Sequence, residues 1–162
     1  MTELAGTLRA RYAGWVDQVA AAGRHVCGDE LLGAVVFGSV GRDRPHEGSD
    51  IDPMMVVRRL PEGRRPRSEL AAAIEAAALQ AGPDLPDVAL VLRTPREIED
   101  GFPLLLDMIE DGRIVWDPHG TVAMLLDGWR TRLAAQGARR VRTGESWHWD
   151  LAGSSPPGRW TL

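Results

Sequence analysis

Residues 34–57 read AVVFGSVGRDRPHEGSDIDPMMVV, which is two apolar runs joined by a polar segment containing several glycines. The first run indicates a buried strand that ends at Gly38, where the backbone can approach another group closely. The second run indicates a strand that begins with the carboxylates of Asp50 and Asp52. Side chains at i and i+2 of a strand lie on one face, about 6–7 Å apart, so both carboxylates face the same point.

The combination of a carboxylate pair with a glycine turn predicts the type of reaction that the site supports. Two carboxylates held together repel each other unless a cation neutralises them, and Mg²⁺ prefers carboxylate oxygens together with phosphate oxygens. Gly38 and Ser39 end the neighbouring strand, where backbone N–H groups can hold a phosphate. The sequence therefore predicts a phosphate cradle beside a metal site, which is the equipment for phosphoryl transfer.

The spacing of this motif resembles a known signature. Gly38-Ser39, a gap of ten residues and Asp50-Ile51-Asp52 are similar to the motif of the nucleotidyltransferase superfamily that includes DNA polymerase beta. The pattern is most similar to the minimal nucleotidyltransferase (MNT) family, whose members often pair with a HEPN-domain protein in toxin–antitoxin systems. The resemblance covers about residues 30–117. It implies an α/β (α+β) fold of the polymerase beta-like type, with a mixed sheet flanked by helices.

The resemblance also implies the roles of particular residues. Asp50 and Asp52 would bind two Mg²⁺ ions together with a third carboxylate from a neighbouring strand. Asp87 opens the apolar run 88–92 and is the preferred candidate, with a solvated strand-edge residue as the plain alternative. Asp84 is the second candidate, but it lies in a Gly-Pro-Asp-Leu-Pro turn, which fixes geometry poorly. The triphosphate of ATP or another NTP would be bound by Gly38, Ser39, Arg42 and Ser49.

Two positions depart from the usual pattern. Family members commonly continue Gly-Ser-x-Ala-Arg-Gly, whereas the last three places here hold Gly41, Arg42 and Asp43. Arg42 keeps the cation, and Asp43 has three open interpretations: it caps a short helix after the cradle, or it pairs with Arg42 or with Arg44. Pro53 lacks a backbone donor, which predicts that its strand is unpaired on one side at that point.

Composition restricts the remaining possibilities. The chain has 162 residues and a net charge of −4, so we expect a sizeable core and no general attraction to nucleic acid. The sequence contains no lysine, which excludes a P-loop lysine or a Schiff-base lysine. Cys27 is the single cysteine, so a reduced cytoplasmic setting is the default expectation. We also expect no signal peptide, no membrane span and no zinc site.

The periodicity predicts alternating elements, and a domain boundary near Gly137. The nucleotidyltransferase domain is expected over residues 1–137, and a C-terminal strand and tail over 138–162. Thr94-Pro95-Arg96-Glu97 has the pattern of a capping box. The predicted helices are 3–26, 68–80, 101–111 and 119–136, and the predicted strands are 33–38, 51–58, 87–93 and 113–116.

Two other segments have competing interpretations. The arginine-rich loop at 58–67 either guides an NTP or an RNA strand or is a solvated turn, and the second is preferred. In the tail, Trp147-His148-Trp149 predicts a strand with both tryptophans on one face. These tryptophans either cover the edge of the core, which we prefer, or stack on bases or a partner. The last ten residues are interpreted as mobile or bound to a partner.

The leading hypothesis is an MNT-type antitoxin that moves AMP from ATP to a hydroxyl of a HEPN-type partner. No separate acceptor domain is expected, so a partner or a second copy of the chain would complete the pocket. The first rival is an enzyme that modifies a small molecule such as an aminoglycoside, which would need an acidic cleft. The second rival is a module with the same fold that binds its partner without catalysis.

Overall fold

The computed structural model describes residues 2–143 and 146–150, and within them four strands form one sheet and two form a hairpin. The strands are β1 (Leu31–Phe37), β2 (Asp52–Val57), β3 (Val91–Arg93), β4 (Arg113–Trp116), β5 (Arg139–Thr143) and β6 (Ser146–Asp150). The helices are α1 (Thr2–Cys27), α2 (Gly38–Gly41), α3 (Arg64–Ala81), α4 (Pro95–Asp100), α5 (Leu105–Asp111) and α6 (Thr121–Ala135). None of the described helices is long and apolar enough to cross a lipid bilayer.

The four-stranded sheet is mixed, as expected from the sequence. Its order is β3-β2-β1-β4, with β1 antiparallel to both β2 and β4, and with β2 parallel to β3. Phe37, the last residue of β1, pairs with Asp52, the first residue of β2. The turn that follows β1 therefore lies directly beside the carboxylates that precede and open β2.

Helices cover both faces of the sheet, which explains why β1 and β2 are apolar almost without interruption. On one face, Met55 packs with residues of α1 and α3, including Val19 and Ile74. On the other face, Met54 packs with residues of α4, α5 and α6, including Ile98. We call these the α1–α3 face and the α4–α6 face. Because side chains alternate along a strand, Asp52 lies on the α4–α6 face with Met54.

The prediction for Pro53 is confirmed. Pro53 pairs with Val36 of β1, while the ladder to the other side has partners only before and after it in the described chain. Ile51 bridges Val88, and regular pairing resumes at Met54 in the same register. The missing N–H of proline leaves that gap, and it reduces the predicted strand 87–93 to Val91–Arg93.

Two predicted boundaries were wrong. Helix α3 begins at Arg64, inside the predicted loop 58–67, because Pro66 lies in the first turn, where helix N–H groups have no partner within the helix. The predicted helix 101–111 begins only at Leu105, as α5, because Gly101, with a φ of 85°, ends the separate helix α4 and Pro103 follows it. Elsewhere, the capping box at Thr94 and Glu97 is present as predicted.

The C-terminal strand predicted around Trp147 exists as β6, but it is half of a hairpin with β5, which was missed. Trp149 is partly buried against the core of the α4–α6 face, in line with the preferred interpretation. The side chain of Trp147 and residues 151–162 lie outside the described part of the chain, so the predictions for them stay untested.

Candidate active site

The turn after β1 depends on glycine at its first position. Gly38 has a φ of 68°, a left-handed conformation that side-chain-bearing residues rarely adopt. A Cβ atom added there would overlap Oδ2 of Asp52, so the backbone touches that carboxylate directly. At Gly41, a Cβ would lie 2.7 Å from the carbonyl oxygen of Val36 and 2.8 Å from that of Asp111. Helix α2 is therefore fixed tightly against β1 and α5.

Three of the predicted carboxylates lie on one face at one end of the sheet. The Ile51–Val88 bridge sets the register: the N–H of Ile51 donates to the Asp87 carbonyl at 2.9 Å, and Ala89 donates back to Ile51 at 2.9 Å. Ile51 and Val88 point to the α1–α3 side, where both join the core clusters. Asp50, Asp52 and Asp87 therefore belong to the opposite, α4–α6 side.

The charges of the site are coupled. Burial raises the pKa of the Asp52 carboxyl, the neighbouring Asp50 carboxylate raises it further, and the Arg42 guanidinium lowers it in part. Asp50 is exposed, whereas Asp52 is half-buried. Two carboxylates in this relation favour a bound cation, because a cation removes the repulsion that a proton would otherwise relieve.

The donor set fits a hard divalent cation in part. The Asp50–Asp52 pair supplies carboxylate oxygens, as Mg²⁺ requires, and the close backbone approach at Gly38 leaves no Cβ between the turn and Asp52. Within the described residues, no group of three or more His, Cys, Asp or Glu side chains is arranged to hold a metal ion as it stands. The structure therefore provides the carboxylate pair, and Asp87 as the third ligand stays a prediction.

A buried hydrogen-bond network braces the loop between α2 and β2. The Ser49 hydroxyl is 3.1 Å from the Ser39 hydroxyl. The backbone N–H of His46 donates to the Ser49 hydroxyl at 3.0 Å. The Tyr12 hydroxyl, from α1, donates to the carbonyl of Ser49 at 2.8 Å. Ser49 is 3% exposed, and its observed hydrogen bonds tie the loop to α1 and α2, whereas the predicted contact with phosphate stays a prediction. Ser39 is half-buried at the turn, and its role in binding phosphate stays a prediction.

Arg42 and Asp43 have partners that sequence reasoning missed. The Arg42 guanidinium donates to the Asp111 carboxylate, on α5, at 3.0 Å. Asp43 pairs with Arg9 of α1 at 3.5 Å, instead of with Arg42 or Arg44. Its φ of 57° places it in the left-handed region, a backbone conformation that glycine adopts more readily than other residues.

No local signal in the sequence could have found Tyr12 or Asp111. Tyr12 fits the apolar stripe of α1, and its hydroxyl reaches residues 34 and 37 positions away. Asp111 is 69 positions from Arg42 and looks like an ordinary acidic residue near the end of a helix. Both contacts depend on how α1 and α5 pack beside the turn.

Comparison with known proteins identifies a family for this chain. The family model described as a nucleotidyltransferase domain matches residues 28–115. A similar solved structure is a toxin–antitoxin with AMP-PNP, at 20% identity over 75% of this chain and 92% of that chain, with a TM-score of 0.49. Another is a tri-AMPylated Shewanella oneidensis HEPN toxin in complex with MNT antitoxin, at 17% identity over 80% and 92%, with a TM-score of 0.44. No protein of curated function matches the sequence.

The family match includes the residues on which the sequence argument depends. It spans more than half of the chain, from before β1 to β4, and so contains the glycine turn and the carboxylates of β2. The resemblance noted from the motif is thereby confirmed at the level of the family: the chain belongs to the nucleotidyltransferase domain family.

Proposed function

We propose that this protein transfers a nucleoside monophosphate, AMP from ATP, to a hydroxyl group of a HEPN-type partner protein, as an MNT-type antitoxin. Membership of the nucleotidyltransferase domain family supports the reaction class. The motif at residues 38–52, which is most similar to the MNT family, supports the acceptor and the partner.

The observation that carries the proposal is the close approach of the glycine turn to Asp52, one member of the carboxylate pair. Gly38 lies so close to Asp52 that no side chain fits between them, and Asp50 and Asp52 interact electrostatically. A phosphate held by the turn would thus lie beside the oxygens that hold its counter-ion. A cradle and a carboxylate pair in this relation serve phosphoryl transfer, because the reaction needs its phosphates positioned and their charge neutralised.

The proposed roles follow from these positions. Asp50, Asp52 and Asp87 would hold Mg²⁺, which when bound lowers the pKa of the acceptor hydroxyl and neutralises the departing pyrophosphate. The turn at Gly38 and Ser39 orients the triphosphate, and Arg42 supplies positive charge on its path. The buried Ser49 network keeps the loop in place, so that Asp50 and the turn hold a fixed relation.

The test is transfer of label from α-labelled ATP, with GTP, CTP and UTP compared, in the presence of Mg²⁺ and host lysate or a purified HEPN-type partner. We expect label on one protein band, identified by mass. Asp52→Asn should reduce labelling by roughly 10²-fold or more, because a metal ligand is lost.

A matched pair of variants decides which residue is the third carboxylate. Asp87→Asn should reduce labelling as Asp52→Asn does, whereas Asp84→Asn, an exposed turn residue close by, should leave it unchanged. Turnover that survives Asp52→Asn would overturn the proposed chemistry. Neutralisation of the partner by the unlabelled double variant Asp50→Asn/Asp52→Asn would instead favour a module that binds without catalysis.

One observation favours a second candidate, a small-molecule acceptor. A cavity of about 470 Å³ beside α2 is lined by carboxylates of Asp43, Glu110 and Asp111 as well as by Arg42 and Arg44. These three carboxylates could hold a polycationic substrate such as an aminoglycoside if it displaced Arg9 from Asp43 and Arg42 from Asp111. Labelling of an aminoglycoside in the same assay, with no labelled protein, would select this candidate over the protein acceptor.

A further inference from the structure

A second cavity lies at the opposite end of the sheet from the carboxylates. The 3-10 turn Gly28–Glu30 before β1, the segment after β2 and the segment after β4 meet there and enclose about 500 Å³. Strand β1 has seven residues between this end and Gly38, which separates the two places by roughly 20 Å. That separation is beyond the reach of any side chain, so the cavity is distinct from the candidate active site.

The wall of this cavity combines an apolar surface with positive charge. The apolar part of the wall is formed by Leu31, Leu32, Trp116 and Pro118. The polar part is formed by Arg24, Arg58 and His119, with the opposing charge of Asp29. Its volume lies in the range of small-molecule sites, which are mostly apolar with a few convergent polar groups.

The arginines are arranged to meet a ligand. The Arg24 guanidinium lies over the Trp116 ring, 5.7 Å from its centroid, near the outer limit of a cation–π contact. The neighbouring carboxylate of Glu30 accepts hydrogen bonds from Arg59, at 2.9 and 3.2 Å. Among the described residues, neither Arg24 nor Arg58 takes part in an ion pair. The backbone of Arg58 is fixed at the cavity, because its N–H donates a hydrogen bond to the carbonyl oxygen of Glu30 at 2.7 Å.

We infer that this cavity binds a small aromatic anion, a flat ring that carries a phosphate, of the class of a nucleoside monophosphate. The ring would lie against Trp116 and the face of the Arg24 guanidinium, since both are planar and attract π-systems. The phosphate would meet Arg24 and Arg58, because charge-assisted hydrogen bonds from guanidinium are strong and directional. Two arginines against the single carboxylate of Asp29 leave the wall net positive.

Calorimetric titration of the whole chain with three probes, in EDTA, tests whether ring and anion are both needed. AMP carries both groups, adenosine lacks the phosphate and ribose 5-phosphate lacks the ring. We expect AMP to bind, and the two fragments to bind at least about tenfold more weakly. Equal binding of AMP and either fragment would overturn the inference, as would failure of AMP to bind.

Variants locate the binding. Arg58 is exposed, so Arg58→Gln should leave the fold intact, and we expect it to weaken AMP binding by about tenfold. Trp116→Leu should weaken AMP binding by a similar factor. Arg96→Gln, on the exposed surface of α4, is the matched control and should have no effect. Asp52→Asn should also have no effect. AMP binding that is lost in Asp52→Asn and kept in Arg58→Gln would place the ligand at the other end of the sheet and refute the site.

Discussion

Gly38 combines two properties, a left-handed backbone and a close approach to the Asp52 carboxylate. A matched variant at Gly48 separates the effects of these two properties. Gly38→Ala adds a methyl group into Oδ2 of Asp52, whereas Gly48→Ala meets nothing within 4 Å and carries only the backbone strain of a φ of 82°. Both variants should lose about 1–2 kcal/mol of unfolding free energy from the left-handed conformation. Only Gly38→Ala should also reduce nucleotidyl transfer, by at least about tenfold, because it displaces the Asp52 carboxylate, which we propose to bind the metal ion.

Urea denaturation and the labelling assay measure these two effects independently. Equal activities of the two variants would mean that the contact between Gly38 and Asp52 has no part in catalysis. Equal stability losses are required for the comparison to be fair, and the shared left-handed conformation makes that the expected result.

Under the proposed function, Asp111 competes with the triphosphate for the Arg42 guanidinium, to which it is bound in the structure. The pair is half-exposed on the arginine side, 44%, and nearly buried on the aspartate side, 12%. Asp111→Asn weakens the hold on the guanidinium, so we expect a non-hydrolysable ATP analogue to bind up to about fivefold more tightly, the range of an exposed ion pair. Asp127→Asn, which loosens the comparable pair with Arg130, is the control and should not alter binding. Unchanged or weaker binding in Asp111→Asn, measured by calorimetry, would contradict this competition.

Sequence alone could predict the residues whose relation is local. Asp50 and Asp52 share a face because strand geometry alternates, and Gly38 is needed because a turn follows a buried strand. The contacts of Arg42 and Asp43 could not be predicted, since their partners come from α5 and α1. The burial of Ser49 was missed for a similar reason: Tyr12 closes over that loop from a distant helix.

At the scale of elements, the charge of Glu97 at the start of α4 should contribute measurably to the free energy of unfolding. Burial alone raises the pKa of Glu97, but hydrogen bonds from Arg67 and Thr94, with the charges of Arg67 and Arg93, outweigh it and lower the pKa. A lowered pKa in the folded chain means that the ionised group stabilises the fold above the unfolded value of about 4.3, and that this is lost as the pH falls through the folded pKa.

Glu97→Gln keeps the capping box and removes only the charge. We expect it to lower the unfolding free energy by about 0.5–1 kcal/mol near pH 7, and the difference from wild type to disappear as the pH falls through the lowered pKa of Glu97 in the folded chain. Glu69→Gln, from the more exposed Arg65 pair, should change stability by less than about 0.5 kcal/mol at either pH. A difference for Glu97→Gln that grows on acidification would show that the assigned direction is wrong.

Element boundaries were predictable where a cap or a breaker acts locally. The capping box at Thr94 fixed the start of α4, and Gly112 marked the end of α5. Strand β5 was missed because its five residues contain three arginines and little apolar alternation. It exists through pairing with β6, with Arg140 opposite Trp149, and pairing of this kind is a property of two segments.

At the scale of the whole molecule, the sheet separates two hydrophobic cores, and both should contribute equally to the free energy of unfolding. Met54 and Met55 are adjacent, both are 0% exposed, and they point to opposite faces. Met54→Ala and Met55→Ala should each cost about 2–5 kcal/mol, because each leaves a cavity in a packed layer. Met124→Ala, at a site that is 67% exposed, should cost less than about 0.5 kcal/mol.

Urea denaturation followed by both far-ultraviolet circular dichroism and tryptophan fluorescence measures these losses. The two probes should give coincident transitions for each variant, since β1 and β2 belong to both cores. A large loss for one methionine and a small loss for the other would mean that one helical layer is dispensable.

The gap at Pro53 makes one of the three carboxylates mechanically different from the others. Asp52 begins β2 and pairs with Phe37 of β1, whereas the peptide carrying Asp87 is tied to Ile51 by two hydrogen bonds and rejoins the ladder only at Val91. A segment held by so few bonds opens at a lower energy than the strand beside it. The backbone at Asp52 is therefore held more firmly than the backbone at Asp87. Under the proposed function, in which Asp87 is the third ligand, Asp87 could approach a bound cation through a small bend of its own peptide, without movement of the rest of the sheet.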